Sequence, residues 1–266
     1  MTTINNIIPI HGKNLSAAWT TALEKCLDAT GGVLAPAIVT FDVLEADNTW
    51  NLEIPKIRQA LENQLDEFNI LSANQSNVET VAGTIFPESI WKRCGGNREK
   101  LFEEYNKSWH LINKCNQNAR GTYFRRLTAF GEKEINQIKM IIDIWHRGIH
   151  RHSALQAGIF DPAIDHRATP ILGFPCLQQV VFHPHGANGR KGMTMIAFYA
   201  NQLLLEKAYG NYLGLYRLGK FMADEMGMVL RGVTCIASNL SLSYKHNKRE
   251  CFPLLEIIKK ELHNGN

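Results

Sequence analysis

The chain has 266 residues, 45% of them hydrophobic, which is enough to bury a sizeable core, and residues 1–266 are predicted to form a single domain. The net charge of +4 arises from 29 basic and 25 acidic residues scattered along the sequence, so a nucleic-acid-binding surface is not expected. No apolar run approaches the roughly 20 residues of a membrane span. The polar start also lacks the features of a signal peptide, so a soluble, cytoplasmic protein is expected.

The first part of the chain is predicted to contain a helix, a strand and a second helix. The first helix covers residues 17–29, is capped by Asn14 or Ser16 and ends at a glycine pair. Residues 35–46 have the composition of a strand. The spacing of apolar residues predicts an amphipathic helix over residues 53–68.

Two further helices, separated by a second glycine pair, are predicted within residues 87–115. They carry Trp91 and Trp109, and large apolar side chains at helical spacing belong more often to the core than to a binding site. Arg125 and Arg126 follow, and the ordinary fate of such a pair is a solvated surface.

Histidines and cysteines in this chain do not predict a metal site. His146, His150, His152 and His166 fit no common zinc motif. The six cysteines are widely spaced and include no C-x-x-C pair, which is typical of reduced thiols rather than of a disulfide-stapled fold.

Cys176 follows a proline and precedes the strand-forming run "LQQVVF", so we expect it at the mouth of a strand, where a thiol can face a cavity. On position alone an inert, buried thiol is the commoner outcome, because free cysteine is among the most buried residue types. A nucleophile is the alternative, and the sequence that follows favours it.

After Cys176, the run "KGMTMIAFYANQLLL" predicts a buried strand, and apolar residues at helical spacing predict a long helix over residues 206–227. Gly210, Gly214 and Gly219 lower helix propensity, which indicates close backbone approach to a neighbouring element. "VLRGVTCIASNLSLSY" predicts a last strand that ends in small polar residues, and the tail predicts a terminal amphipathic helix.

This order of motifs resembles the catalytic half of thymidylate synthase and the related pyrimidine hydroxymethylases. In that family a proline–cysteine pair carries the nucleophile, and an asparagine at the start of a long helix binds the pyrimidine edge. Cys176 and Asn211 match these two residues. The matches to the family's nucleotide-binding run are Gly232, Thr234, Ser238 and Asn239. The resemblance covers roughly the C-terminal third, and the middle of the chain more loosely.

The resemblance implies an α+β, thymidylate-synthase-like fold: a mixed β-sheet with a long buried helix and a sheet-to-sheet homodimer. It implies Glu79 as a catalytic residue, although a glutamate at a helix start also favours the macrodipole without catalysis, and both interpretations stay open. It implies Arg151 as a contact to the phosphate of the nucleotide bound by the partner subunit, and Trp91 and Trp109 as walls of a pocket for 5,10-methylenetetrahydrofolate.

Several positions depart from the family pattern. Cys235 and Ala237 stand where the family has the histidine and tyrosine that bind the deoxyribose hydroxyl. Tyr199 to Asn201 stand where an arginine–serine pair grips phosphate, with no cation among them. The acidic residue that orients the folate falls near Gln202 or Leu203. The nucleophile is therefore retained while much of the nucleotide and folate contact set is not.

The chemistry explains why these residue types are needed. Carbon 5 of a pyrimidine is a weak nucleophile, so a thiolate first adds to carbon 6 and converts the ring into an enolate. An amide such as that of Asn211 both donates and accepts, so it can hold the ring edge and stabilise the enolate. A glutamate with an ordered water then moves protons on and off the ring.

Two function classes follow. The first is a thymidylate-synthase-like transferase of nucleotide metabolism that methylates or hydroxymethylates a pyrimidine nucleotide or nucleotide-like ring. The second is a catalytically inactive dimer that binds nucleotides or acts as a scaffold. If Cys176 is catalytic, it should lie in the largest concave pocket, with Asn211 and the strand end Thr234 to Asn239 beside it.

Overall fold

A six-stranded mixed sheet forms the centre of the fold. The computed structural model describes residues 7–68, 77–118, 120–148, 151–166, 175–186, 191–243 and 246–264. In spatial order the strands are β1 (Ile8–Gly12), β3 (Ala37–Asp42), β8 (Val229–Ala237), β6 (Gly192–Tyr199), β5 (Leu177–His185) and β4 (Gln156–Gly158). β1 and β3 are parallel, as are β6 and β8, and the other neighbours are antiparallel. The predicted α+β class with a mixed sheet is confirmed.

A second, small sheet lies next to the ends of β6 and β8. Its strands are, in order, β2 (Val33–Leu34), β9 (Leu240–Ser241) and β7 (Gln202–Leu203). β7 follows β6 after two residues, and β9 follows β8 after two residues. The small sheet therefore holds together the segments that leave the main sheet at the end where Tyr199 and Ala237 lie.

Ten α-helices are described. They are α1 (Leu15–Asp28), α2 (Pro55–Glu67), α3 (Val78–Ile85), α4 (Glu88–Arg93), α5 (Arg98–Ile112), α6 (Tyr123–Thr128), α7 (Gln137–Arg147), α8 (Pro162–Asp165), α9 (Tyr209–Glu225) and α10 (Lys248–Asn264). The predicted cap is confirmed, because the Asn14 side chain accepts a hydrogen bond from the backbone N–H of Ala17 at 2.9 Å. The predicted break between α4 and α5 is also confirmed, since Gly95 and Gly96 both have positive φ.

The long helix α9 packs against β6 and β8 and covers one face of the main sheet together with α1. A π-helical turn, Leu204–Ala208, precedes it, so the predicted start at residue 206 falls inside that turn. Close approach at the glycines is confirmed: a Cβ at Gly210 would lie 2.6 Å from Val81 Cβ, and one at Gly214 would lie 2.8 Å from the Ala82 carbonyl oxygen. α3 therefore packs directly against the α9 backbone.

The opposite face of the main sheet, which we name the open sheet face, is not covered by α1 or α9. Its side chains alternate along each strand with the buried ones and are half-buried or exposed. Its apolar members are Ile38, Val181, Ile196, Phe198 and Ile236. Phe198 is 38% exposed, which is unusual for so large an apolar residue in a central strand.

The predicted solvation of the arginine pair on α6 is wrong for Arg126. Arg126 is 5% exposed and forms a bidentate ion pair with Asp165 of α8, which is 2% exposed. Arg125 lies nearer the surface, stacks over the Trp109 ring at 5.4 Å and pairs with Glu134. The two neighbours therefore have different structural roles.

Candidate functional site

Cys176 lies directly before β5 and is half-buried. Its carbonyl oxygen accepts a hydrogen bond from the Ala200 N–H at 3.0 Å, and the next residue, Leu177, pairs with Tyr199 of β6. The cysteine is thus fixed beside the end of β6 and the start of the chain segment that leads to α9. The predicted position at the mouth of a strand is confirmed.

Lys207, in the π-helical turn before α9, is the cation that acts on Cys176. Burial raises the pKa of the Cys176 thiol, and the Lys207 ammonium opposes that rise. In the reverse direction burial lowers the pKa of Lys207, while Glu206 and the Cys176 thiolate raise it. Lys207 is half-buried and makes no ion pair or hydrogen bond with another described residue. The ammonium therefore lies close enough to the thiol to influence its ionisation.

Tyr199 brings a buried hydroxyl without a partner into the same region. Its side chain is fully buried, and its hydroxyl makes no hydrogen bond with any described residue. Burial holds its pKa well above the usual range, and its ionisable neighbours raise it further. Those neighbours are Cys235, Tyr123, Tyr212 and Cys176. A buried hydroxyl left unpaired costs about 1–3 kcal/mol, so it indicates a place for a polar group from outside the described chain.

Gln202, the first residue of β7, also has a buried polar atom without a hydrogen-bond partner among the described residues. Its Oε1 accepts hydrogen bonds from the Tyr212 hydroxyl at 3.2 Å and from the Cys235 thiol at 3.8 Å. Its Nε2 is buried and has no partner among the described residues. The cluster around Cys235 thus offers one unused amide donor from Gln202 in addition to the hydroxyl of Tyr199.

Asn211 lies in the first turn of α9 and is only 4% exposed. Its side-chain amide makes no hydrogen bond with another residue in the described ranges. Lys207 precedes it by four residues and belongs to the π-helical turn Leu204–Ala208 that leads into the helix. Lys207 and Asn211 therefore both lie at the N-terminal end of α9.

Glu79 lies in the first turn of α3, where a carboxylate is stabilised by the helix N-terminus. Its Oε2 is 2.7 Å from Arg217 Nη1, and its Oε1 is 3.0 Å from Arg58 Nη1. The hydrogen bond from Arg217 is the main reason that its pKa is lowered. Glu79 is thus held between α2 and α9, with Arg58 and Arg217 rather than Cys176 or Asn211 as its ion-pair partners. The catalytic role remains a prediction.

The strand end at residues 234–239 is divided between the two faces of the sheet. Cys235 is 1% exposed and faces α9, and burial raises its pKa to about 12. Thr234 alternates with it and lies on the open sheet face, between Thr40 and Ile196. Thr234 therefore lies on the opposite face of the sheet from Cys235, and not beside Cys235 as the prediction required.

Ser238 and Asn239 continue from that strand toward β9. Ser238 is exposed, and its N–H donates to the Tyr199 carbonyl oxygen at 3.0 Å. Asn239 donates through Nδ2 to Asn201 Oδ1 at 2.6 Å and to Ser241 Oγ at 2.9 Å. Ser238 is thus adjacent to the Tyr199 backbone, whereas the Asn239 amide is used within the chain.

Arg151 is exposed and lies at the edge of the fold, just before the 3-10 turn His152–Ala154 and the edge strand β4. It forms no ion pair with another described residue. Its role as a ligand for the phosphate of the nucleotide bound by the partner subunit stays a prediction.

Trp91 and Trp109 do not share a wall. They stand at opposite ends of a row of aromatic rings, with Phe86, Phe124 and Tyr105 between them. Successive ring centroids in that row are 4.7 to 6.4 Å apart. As a pair, the two tryptophans do not fit the predicted folate pocket.

Of the two tryptophans, Trp91 but not Trp109 lines a cavity of about 270 Å³. Tyr216, Phe221, Arg217 and Lys220 also line this cavity. Tyr216 comes five residues after Asn211, so this cavity begins about 8 Å further along the α9 axis. Its cations are already paired, Arg217 with Glu79 and Lys220 with Asp224 at 2.7 Å. The cavity offers aromatic surface for a flat ring but no unpaired cation for a carboxylate.

A second cavity, of about 440 Å³, lies at the N-terminus of α10 and is lined by Leu242, Ser243, His246 and Lys248 among others. Neither cavity includes Cys176 in its lining. The position of Cys176 in the largest concave pocket stays a prediction.

Sequence patterns missed three members of the Cys176 group: Lys207, Tyr199 and Gln202. The segment Tyr199 to Asn201 contains no cation, as expected, and Lys207 follows it further along the chain. The available signal for Lys207 was its position four residues before Asn211.

No family model matches the chain, and a search of the curated proteins also gave no match. The helices in the described part of the chain are too short or too polar to cross a membrane.

Proposed function

We propose that this chain is a thymidylate-synthase-like transferase that adds a one-carbon unit to carbon 5 of a pyrimidine nucleotide or a related ring through a covalent adduct with Cys176. The observations that carry the proposal are Cys176 held beside the end of β6 and Asn211 buried in the first turn of α9, since these two residues match the family's nucleophile and its ring-binding amide. A thiol, a cation and an unpaired amide are the groups that such chemistry needs.

In this mechanism the Cys176 sulfur forms a bond to carbon 6, and the electron pair of the carbon 5–carbon 6 double bond moves toward the carbonyl oxygen at carbon 4. The Asn211 amide donates to that oxygen, where negative charge develops, and its carbonyl oxygen accepts from the ring N–H. Carbon 5 then forms a bond to the one-carbon unit, and the bond between that unit and its donor would break with the electron pair remaining on the donor. Carbon 5 loses its proton, and the transferred carbon would take up water to give a hydroxymethyl group or hydride from the donor to give a methyl group. The carbon–sulfur bond breaks and its electron pair returns to sulfur.

Proposed supporting roles follow the family pattern residue by residue. Glu79 moves protons on and off the ring through water, and hydrogen bonds and charge from Arg217 and Arg58 lower its pKa and so favour its carboxylate form. Ser238, Asn239 and Arg151 are proposed substrate contacts, whereas Thr234 lies on the open sheet face and is not. Of these, Ser238 has the most direct support, because its backbone adjoins Tyr199.

The proposed one-carbon donor is 5,10-methylenetetrahydrofolate, which supplies an electrophilic carbon when bound. The aromatic cavity at Trp91 is the described surface that suits a flat ring. The donor is tested by calorimetric titration of the protein with the folate, first alone and then with a pyrimidine nucleotide present. Binding in neither titration would count against folate as the donor.

The alternative function is a catalytically inactive, nucleotide-binding or scaffold dimer. Burial raises the pKa of Cys176, which disfavours the nucleophilic thiolate, and Glu79 is fully engaged with Arg58 and Arg217. Incubation with deoxyuridylate, deoxycytidylate and their nucleosides, plus the folate, separates the two functions. A product heavier by one carbon supports the transferase, whereas binding without product supports the alternative.

We expect deoxyuridylate to bind with an affinity far below that of an ordinary thymidylate synthase. No arginine lies in the segment Tyr199 to Asn201, and each missing charged contact is worth about 1.5–3 kcal/mol. Two losses weaken phosphate-dependent binding by about a hundredfold or more. Calorimetry with the matched nucleoside as control measures this directly. A hundredfold preference for the nucleotide would contradict our interpretation of these substitutions.

We also propose a homodimer in which the open sheet faces of two copies pack together. The apolar residues of that face, with Phe198 at 38% exposure, are the surface that such an interface would bury. Sedimentation at micromolar concentration should give twice the chain mass of 30.1 kDa.

Phe198→Asp should convert the dimer to a monomer, because it places a charge in the centre of the proposed interface. Phe252→Asp is the matched control, since Phe252 lies on α10 and is 44% exposed. A monomeric wild-type protein, or an equal effect of the two substitutions, would count against the sheet-to-sheet dimer.

A further inference from the structure

We propose that the sheet-to-sheet dimer is a pH-sensitive assembly, which dissociates when histidines at one end of the open sheet face take up protons. The inference rests on the proposed homodimer and does not depend on one-carbon transfer. A face that carried apolar groups alone would pack against its copy equally well across the neutral range. The open sheet face is apolar at one end only, and its other end carries imidazoles.

Strand register separates the two ends of the open sheet face. Phe198 of β6 pairs with Ile236 of β8, which pairs with Ile38 of β3, so one row across the sheet is apolar. Thr194 comes four residues before Phe198 and therefore lies on the same face. It pairs with His183 of β5, so the row that contains these two residues is polar.

His183 and His185 form the centre of this polar end. Both are exposed side chains of β5, two residues apart and thus on one face, and their ring centroids are 6.2 Å apart. His152, in the 3-10 turn before β4, places its ring centroid 6.3 Å from that of His183. We name these three residues the histidine end of the open sheet face. Protonation would place like charges side by side there.

Other charged groups on the open sheet face do not offset these charges. A Cβ at Gly192 would lie 2.9 Å from His185 Cε1 and 3.1 Å from Arg231 Cγ, so Arg231 borders the histidine end. Asp42 lies 3.3 Å from His11 Nε2, and that imidazole is its ion-pair partner. Among the described residues, no carboxylate forms an ion pair with His185 or with Arg231.

The remaining neighbours of the histidine end are neutral or cationic. Thr194 Oγ1 lies 2.8 Å from His185 Nε2, and a hydroxyl does not neutralise a charge. Arg151 directly precedes His152 and is exposed, and Lys191, directly before β6, is also exposed. Protonation of the imidazoles therefore adds positive charge to a region that already contains cations.

Two-fold symmetry doubles these charges in the interface, however the two sheets are rotated about their common axis. A protonated imidazole that meets the partner's histidine end faces like charges, and one that meets the partner's apolar row loses its hydration without a counter-charge. Both arrangements favour the neutral imidazole in the dimer. In the monomer the same side chains are exposed to water. Dissociation is therefore coupled to proton uptake, and acid favours the monomer.

The test is sedimentation equilibrium of the full chain from about pH 8 to about pH 5.5 at constant ionic strength, because histidine changes its charge in this range. The measured quantity is the dissociation constant of the dimer at each pH. If one imidazole or more in each copy must be neutral in the dimer, this constant should rise about a hundredfold or more across the range. Circular dichroism at each pH reports whether the chain stays folded.

The double variant His183→Gln with His185→Gln should lose most of this rise, because a glutamine amide is polar but is not protonated in this range. Dimerisation of the variant near neutral pH should be retained. His110→Gln is the matched control, since His110 is an exposed histidine on α5. The control should keep the pH dependence of the wild type.

A dissociation constant that does not change with pH would overturn the inference and leave the proposed dimer standing. A pH dependence that persists in the double variant would overturn it as well, as would a loss of helical signal that accompanies dissociation. A monomeric wild type at the alkaline end of the range would remove the proposed dimer and this inference together. One-carbon transfer is assayed separately, so its absence would leave the result on pH-dependent assembly unchanged.

Discussion

Cys176→Ser is expected to reduce one-carbon transfer to the background level while leaving the fold and the oligomeric state intact. A serine hydroxyl in the same position is almost never ionised at neutral pH, so it cannot add to the ring at a useful rate. The cysteine is half-buried at the start of β5, and its contact with Ala200 is made by the backbone carbonyl, which serine retains. Product formation is measured by mass spectrometry.

Cys115→Ser is the matched control, because Cys115 is exposed and lies outside the helices and strands. It should leave turnover unchanged, and the thermal midpoint of both variants should stay within about 2 °C of wild type. Activity retained in Cys176→Ser would mean that Cys176 is not the nucleophile. An inactive wild type with Cys176 inert toward alkylation would favour the scaffold alternative.

The elements around this site were largely predictable from local patterns. The cap at Asn14, the break at Gly95 and Gly96, and the tight contacts at Gly210 and Gly214 each depend on a few neighbouring residues. Periodicity and glycine placement encode such features directly. The same is true of the position of Cys176 at a strand mouth, which follows from its proline and the strand-forming run after it.

Interactions between distant segments were not predictable in this way. Glu79 was expected at a helix start, and it is there, but its partners Arg58 and Arg217 lie 21 and 138 residues away in the sequence. The influence of Lys207 on Cys176 likewise joins segments from different strands and helices. Local spacing predicts the direction of a side chain along its own element, whereas its charge partner depends on the packing of other elements.

Arg126 illustrates how strongly the packing of other elements determines the environment of a side chain. Adjacent in sequence, Arg125 and Arg126 have the same local composition, yet only Arg126 is buried, because α6 packs with Asp165 of α8 on that side. The same helix carries Tyr123, which interacts with Cys176. The Arg126–Asp165 pair therefore fixes one wall of the candidate site.

Arg126→Met is expected to lower the free energy of unfolding by about 3–5 kcal/mol, because it leaves the Asp165 carboxylate buried without a counter-charge. The pair is joined by two hydrogen bonds of 2.6 and 2.9 Å, and Arg126 also donates to the Ile159 carbonyl oxygen at 3.0 Å. Urea unfolding followed by circular dichroism measures the change. Arg125→Met is the matched control and should cost less than about 1 kcal/mol, since its partner Glu134 is exposed.

The double variant Arg126→Met with Asp165→Leu separates charge burial from packing. Removing both charges eliminates the uncompensated carboxylate, so part of the lost stability should return. Recovery should be incomplete, because the Asp161 N–H and the Ile159 carbonyl oxygen lose their partners in the pair. A double variant no more stable than Arg126→Met would show that the loss comes from these backbone hydrogen bonds, and not from a buried unpaired charge.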